Sequence, residues 1–163
     1  MLLKDYLPNI NKKFRNLNFS GLAFNSKEVK KNYIFIAIKG DKFDGNNYIN
    51  DAIKNGAKII ISSKFKDQIK NNIIYLKNKN PRQILSHLSS KIFKKKPQNL
   101  IAVTGTNGKT SIANFYYQIL KENKKKVAYF GTLGISEKRN IENTSNTTFD
   151  PIKIGKNLTN LEK

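Results

Sequence analysis

Leu100-Ile101-Ala102-Val103-Thr104-Gly105-Thr106-Asn107-Gly108-Lys109-Thr110-Ser111 is the stretch on which the reading of this chain turns. Apolar residues run into a Gly-rich turn, and the turn runs into Gly-Lys-Thr. Beyond it, Ile112, Phe115, Tyr116, Ile119 and Leu120 fall at the spacing of one helix face. Strand, glycine turn and helix, in that order, is the setting a phosphate-binding loop requires. Gly105 and Gly108 let the main chain take positive φ and approach a ligand closely. The N–H groups of the turn and the partial positive charge of the helix start then form an anion nest. Lys109 is the candidate catalytic residue, placed to reach outer phosphates, and the Thr110 hydroxyl is the candidate Mg²⁺ ligand. Gly105, Thr106, Asn107, Gly108, Lys109, Thr110 and Ser111 make up the candidate cofactor site. The strict Walker pattern wants a glycine where Val103 stands, so TGTNGKT is a shortened variant. A plain strand-to-helix turn would account for both glycines but gives no reason for Lys-Thr at the helix start.

A length of 163 residues fits one domain or two small ones. Lys and Arg number 31 against 11 Asp and Glu, a net charge of +20. Such an excess can mean a nucleic-acid or membrane partner. Here it is spread along the chain, and Arg, the residue of bidentate phosphate contacts, occurs only at Arg15, Arg82 and Arg139. Neither partner is therefore expected. The chain has no cysteine, which removes disulfides and thiolate metal sites. No segment approaches the ~20 apolar residues of a membrane helix, and the N-terminus carries no signal-peptide run. The expectation is a cytoplasmic, monomeric protein.

Along the chain, a short helix is predicted over Leu2 to Leu7, and Gly21 to Val29 reads as a short strand entering a polar turn. Tyr33 to Ile38 reads as a buried strand, ending in a loop from Lys39 to Gly45. Tyr48, Ile49, Ala52 and Ile53 have helical spacing, with Gly56 at the C-cap position. Lys58 to Ser63 and Ile73 to Leu76 are further strands, joined by a polar connection over 64–72. Asn80 is an N-cap and Pro81 the first turn of a helix carrying Ile84, Leu85, Leu88 and Ile92. His87, the single histidine, borders that stripe and reads as structural. Strands alternating with helices predict an α/β fold with an at least partly parallel sheet. The Lys94 to Asn99 run places a domain boundary, giving domains 1–97 and 98–163. In the second, the loop strand, its helix and Val127 to Phe130 predict a βαβ unit. A helical pattern follows from Ile152. Two strands and a helix cannot cover both faces of a parallel sheet. The expectation is therefore the front part of a longer chain, or a truncated copy of one.

These blocks together resemble the Mur ligase family, over nearly all of the chain, and within it the members that add a diamino acid. Asn25-Ser26-Lys27 resembles the family's Asp-Ser-Arg, followed by a similar run to Gly40 and then Asp44-Gly45. Asn80-Pro81-Arg82 resembles Asp-Pro-Arg, and Thr104 to Thr110 resembles the family's ATP loop. Gly131-Thr132-Leu133-Gly134 and Asn146-Thr147-Thr148-Phe149-Asp150-Pro151 resemble the blocks that mark the diamino-acid-adding members. The ATP loop is shared with folylpolyglutamate synthases, which usually carry Gly-Lys-Gly-Ser where this chain has Gly-Lys-Thr-Ser. Asn25, Lys27 and Phe149 depart from the family's Asp, Arg and Pro.

The resemblance implies a small nucleotide-sugar-binding domain followed by the start of a phosphate-loop central domain with an incomplete parallel sheet. It implies ATP and Mg²⁺ as cofactors, and UDP-MurNAc-L-Ala-D-Glu and a diamino acid as substrates. ATP would phosphorylate the substrate carboxylate, and the amine would displace phosphate from the acyl phosphate. It also implies substrate contacts at Phe24, Ser26, Asp41, Lys42 and Phe43, and at Asn146, Thr147 and Thr148. A turn-forming role for Ser26, a solvated loop at 41–43 and a strand-edge or helix-cap role for Thr147 and Thr148 are the bland alternatives. Three other readings of the chain stay open: a nucleotide-sugar-binding module with a partial ATP loop that is inactive alone, another Mur-type ligase, and a basic RNA-binding protein.

Overall fold

The computed structural model describes residues 1–41, 43–132, 134–137, 140–142 and 150–161. They form two compact units, Met1–Lys94 and Lys95–Lys163.

The first unit is built on the apolar runs. β2 (Tyr33–Ile36) and β3 (Ala57–Ser62) are near-continuous stretches of β-branched and aromatic residues, which suits strands covered on both faces. Ile34, Phe35, Ile36, Ile59 and Ile60 are fully buried. With β1 (Gly21–Ala23), β4 (Gln68–Lys70) and β5 (Ile73–Lys77) they form a sheet of order β1-β2-β3-β5-β4. β1, β2, β3 and β5 run parallel, so the first unit adopts the predicted α/β class with an at least partly parallel sheet. One face holds Ala23, Phe35, Ala37 and Ile60 against Ile49 and Ala52 of α2 (Ile49–Lys54). Ile34, Ile36, Ile59 and Ile61 alternate to the other face and are equally buried. α3 (Pro81–Ile92) contacts β2, and its Leu85 and Leu88 are buried. Asn80 caps α3 as expected, its Oδ1 accepting the Gln83 N–H at 3.2 Å. The short N-terminal helix is α1 (Leu3–Tyr6).

The 64–72 connection differs from expectation, because it contains β4, antiparallel to β5. Asn71 and Asn72 join the two strands with φ of 50° and 61°. That is the backbone of a type I′ hairpin turn, and asparagine is one of the residues that tolerates it. β4 is exposed at all three positions, so it carries no apolar alternation to announce it.

The second unit departs further. α4 (Lys109–Glu122) is the expected helix, but Leu100 to Val103 lies in no regular element and, among the described residues, pairs with no strand. Leu100 and Ile101 are 65% and 60% exposed. β6 (Ala128–Gly131) does not complete a βαβ unit. It turns at Gly131–Gly134 into β7 (Gly134–Glu137), which pairs in turn with β8 (Asn140–Glu142), all antiparallel. A parallel pairing between 100–103 and β6 would need flanking strands and helices on both faces. The hairpin needs only a two-residue closure, which costs little chain entropy. α5 (Pro151–Leu161) follows, with the Asp150 carboxylate accepting the Lys153 N–H at 2.9 Å.

Candidate functional site

The chemistry-bearing residues of the second unit gather at the start of α4. Gly108 is the N-cap, with φ of 76° and ψ of −7°, a left-handed backbone that glycine adopts without steric cost. Gly105 has φ of 152°. The Gly108 carbonyl accepts the Ile112 N–H at 2.9 Å, closing the first helical turn. The N–H groups of Lys109, Thr110 and Ser111 therefore have no carbonyl ahead of them in the helix. Among the described residues no side chain caps this end. Thr104 to Gly108 is exposed, while Lys109 and Thr110 are half-buried. The result is an open row of donors at the positive end of a 14-residue helix.

Lys109 lies across this loop. Its Nζ donates to the Gly105 carbonyl and, at 3.0 Å, to the Thr106 carbonyl. The ammonium is thus held over the turn rather than extended into solvent. Those acceptors are neutral carbonyls, and phosphate oxygens would make the stronger, charge-assisted bonds. Thr110 Oγ1 lies 2.9 Å from Thr132 Oγ1. Thr132 is a residue that sequence reasoning did not place in the site. Its Gly-Thr-Leu-Gly block was legible as a turn, but its neighbour across the hairpin end was not.

Among the described residues no cluster of three or more His, Asp or Glu could hold a metal ion. Mg²⁺ does not need one, since it commonly takes one or two protein oxygens and completes its octahedron with water and substrate phosphates. A half-buried Thr110 hydroxyl beside the loop fits that donor pattern.

The first unit presents a second set. Asn25 caps a 3₁₀ turn at Ser26–Glu28, its Oδ1 accepting the Lys27 N–H at 3.1 Å. Phe24 is half-buried and Ser26 is buried. The Ser26 carbonyl accepts from Asn55 Nδ2 at 2.9 Å, which ties this turn to the end of α2. The loop after β2 is closed by bonds from Gly40 N–H to the Phe43 carbonyl, 2.8 Å, and from Gly45 N–H to the Ile38 carbonyl, 2.9 Å. At its tip Asp41 is exposed and Phe43 is 71% exposed. Lys42, Leu133, Asn146, Thr147 and Thr148 lie outside the described residues.

Asp44 anchors this loop. Its Oδ1 accepts the Asn46 N–H at 2.9 Å and Asn46 Nδ2 at 2.6 Å, and its Oδ2 pairs with Lys64 Nζ at 2.9 Å. The Lys64 ammonium, then the Asn46 side chain and the Asn46 amide, hold the Asp44 carboxyl well below the usual carboxylate range. His87 takes the structural part expected of it, with Nε2 3.1 Å from the Tyr6 carbonyl. A shallow depression of about 700 Å³ lies between Lys66, Asp67, Lys77, Asn78, Lys79, Asn80 and Gln83. None of the candidate residues lines it.

The family model described as "Mur ligase family, catalytic domain" matches residues 18–102, and "Mur ligase middle domain" matches 103–163. A UDP-N-acetylmuramoyl-L-alanyl-D-glutamate–2,6-diaminopimelate ligase from Rickettsia prowazekii (strain Madrid E) is 40% identical over 157 residues, 94% of this chain and 32% of its own length. The protein called ligase 2 of the same activity from Clostridium acetobutylicum is 37% identical over 169 residues, 97% of this chain and 35% of its own. A solved structure of a UDP-N-acetylmuramoyl-L-alanyl-D-glutamate–2,6-diaminopimelate ligase superposes with a TM-score of 0.76 at 25% identity, covering 99% of this chain and 33% of that one. The chain therefore spans about a third of the length of the relatives it matches. One family model covers more than half of the residues and a second covers 103–163, on a largely parallel α/β unit followed by a glycine turn and helix, and the chain belongs to the Mur ligase family.

Proposed function

We propose that this chain supplies the nucleotide-sugar-binding part and the ATP loop of a ligase that joins a diamino acid to UDP-MurNAc-L-Ala-D-Glu in peptidoglycan synthesis. The observation that carries this reading is the Gly105–Thr110 loop, left-handed at Gly108, with Lys109 drawn over it at the uncapped start of α4. Its support in sequence is the 40% identity to a diaminopimelate-adding ligase. In the reaction, the terminal phosphoryl group of ATP passes to the D-Glu carboxylate and ADP leaves. The amine of the diamino acid then attacks the acyl carbon and expels phosphate.

Phosphoryl transfer asks a protein mostly for positioning and charge neutralisation. The N–H groups of Lys109, Thr110 and Ser111 and the backbone of Thr106, Asn107 and Gly108 would cradle the phosphates. Lys109 would leave the loop carbonyls for the outer phosphate oxygens. Thr110 would hold Mg²⁺, which would supply positive charge against the phosphates. In the first unit, Phe24, Ser26, Asp41, Lys42 and Phe43 would grip the uridine diphosphate end. Asn146, Thr147 and Thr148 would meet the sugar-peptide part. We place the protein in the cytoplasm, acting as a monomer on soluble substrates. Among the described residues no helix is long and apolar enough to cross a membrane.

The test is nucleotide titration of the chain with a fluorescent ADP in the presence and absence of Mg²⁺. Saturable binding that Lys109→Met weakens by about tenfold or more supports the loop's role, the size of a lost charge-assisted contact. Binding equal in wild type and Lys109→Met overturns it. The inactive-module reading is separated by ADP release in the presence of UDP-MurNAc-L-Ala-D-Glu and diaminopimelate, which that reading excludes.

A further inference from the structure

Behind the 40–43 loop of the first unit, four residues form a closed ring of hydrogen bonds. Ser62, fully buried at the end of β3, donates through Oγ to Asn46 Oδ1 at 2.6 Å. Asn46 donates through Nδ2 and its backbone N–H to Asp44 Oδ1, at 2.6 Å and 2.9 Å. Asp44 Oδ2 binds Lys64 Nζ at 2.9 Å. The Lys64 backbone N–H donates back to Ser62 Oγ at 3.0 Å. The ring joins two segments far apart in sequence, the loop after β2 and the end of β3. It sits directly behind the tip of that loop, where Asp41 is exposed and Phe43 is 71% exposed. Asp44 also pairs as an isolated antiparallel bridge with Lys39, so the tip is pinned at its base from both sides.

An exposed loop tip ordinarily samples many conformations, and each one frozen on binding subtracts from affinity. A buried serine hydroxyl that both donates and accepts is costly to leave unsatisfied. That makes Ser62 a firm anchor for what hangs from it. We propose that the Asp44–Asn46–Ser62–Lys64 ring pre-organises Gly40, Asp41 and Phe43 for the uridine diphosphate end of the nucleotide sugar, with Ser62 and Lys64 as positioning residues that do not touch the ligand. This rests on the substrate-binding reading of residues 41–43 given above.

The probe is UDP, titrated calorimetrically into the wild-type chain and into Lys64→Met, Lys64→Arg, Ser62→Ala and Phe43→Ala, with amide exchange followed at Gly40 and Gly45. Lys64→Met should weaken UDP binding up to about fivefold, the ceiling for an exposed ion pair. Ser62→Ala should weaken it about tenfold, since it leaves Asn46 and the Lys64 amide without their partner. Both should speed exchange at Gly40 and Gly45, and Lys64→Arg should restore most of the loss. Combined with Phe43→Ala, the Lys64→Met effect should shrink, because the two act through one loop. A ring that serves stability alone would lower the unfolding midpoint and leave UDP affinity and the Phe43 coupling unchanged, which overturns the proposal. No heat from the wild-type chain at millimolar UDP overturns the substrate-binding reading itself and the proposal with it. The two failures are told apart by whether wild type binds.

Discussion

At Gly108 a side chain would have room, since its Cβ would meet Ile112 Cδ1 at an ordinary 3.8 Å. The obstacle is the backbone, at φ of 76°. Gly108→Ala should cost about 1–2 kcal/mol for holding an L-residue in the left-handed region, and nucleotide affinity should fall with it. Gly45 is the opposite case. Its Cβ would lie 2.8 Å from both the amide nitrogen and the carbonyl oxygen of Ile38, and backbone cannot swing aside. Gly45→Ala should destabilise the first unit by about 3 kcal/mol, the upper end of the usual overpacking range. Chemical denaturation of both variants gives the order. Asp44 offers a pH test. Its carboxyl is lowered in the folded chain by Lys64 and Asn46, so its stabilising effect is full above the unfolded carboxylate value of about 4. That effect is lost as pH falls below this value toward the lowered folded one. Asp44→Asn should therefore destabilise the chain most at pH 7 and by progressively less as pH falls below about 4, in denaturant melts across that range. Of these residues, Gly108 and Lys109 were legible as a motif. Asp44 was legible as part of a family block, but its partners Ser62 and Lys64 were not, because no local spacing encodes contact between a loop and the next strand's end.

Among the elements, the two kinds of strand make different demands. Ile60, in the middle of the parallel sheet, is fully buried, and Ile60→Ala should cost about 2–5 kcal/mol. Ile69 on β4 is 58% exposed, and Ile69→Thr should stay within about 0.5 kcal/mol of wild type. Thermal unfolding of the pair measures both. α3 should lose about 1 kcal/mol on Asn80→Ala, the worth of an N-cap side chain. β2, β3, β5, α2, α3 and α4 were readable because apolar periodicity, caps and breakers are local signals. β4 was not, because an exposed edge strand is specified by its neighbour's backbone. Its only local mark was Asn71-Asn72. The expected strand at 100–103 failed for the converse reason. Its residues have strand-like composition, but a strand exists only with a partner to pair with.

Over the whole molecule, burial is uneven. The first unit encloses its isoleucines and phenylalanines, whereas the stripe of α4 that spacing assigned to a core is open, with Ile112, Phe115 and Ile119 each about 60% exposed. Contiguous exposed apolar surface of this kind binds amphiphilic dyes. The chain should raise the fluorescence of an anilinonaphthalene dye at neutral pH, and Phe115→Ser with Ile119→Ser should remove most of that signal without shifting the unfolding of the first unit. A net charge of +20 should in turn give weak, steeply salt-dependent adhesion to any polyanion, which separates it from saturable nucleotide binding. The sequence by itself determined the α/β class, the cap and breaker positions and the loop around Lys109, because each rests on residues adjacent in the chain or one helical turn apart. Only the tertiary structure decided that Ser62 and Lys64 lock Asp44, that Thr132 meets Thr110, and that β6 pairs with β7 rather than with residues 100–103. Those outcomes depend on which distant segments find each other, and pairing energies between distant segments leave no periodic trace in either one.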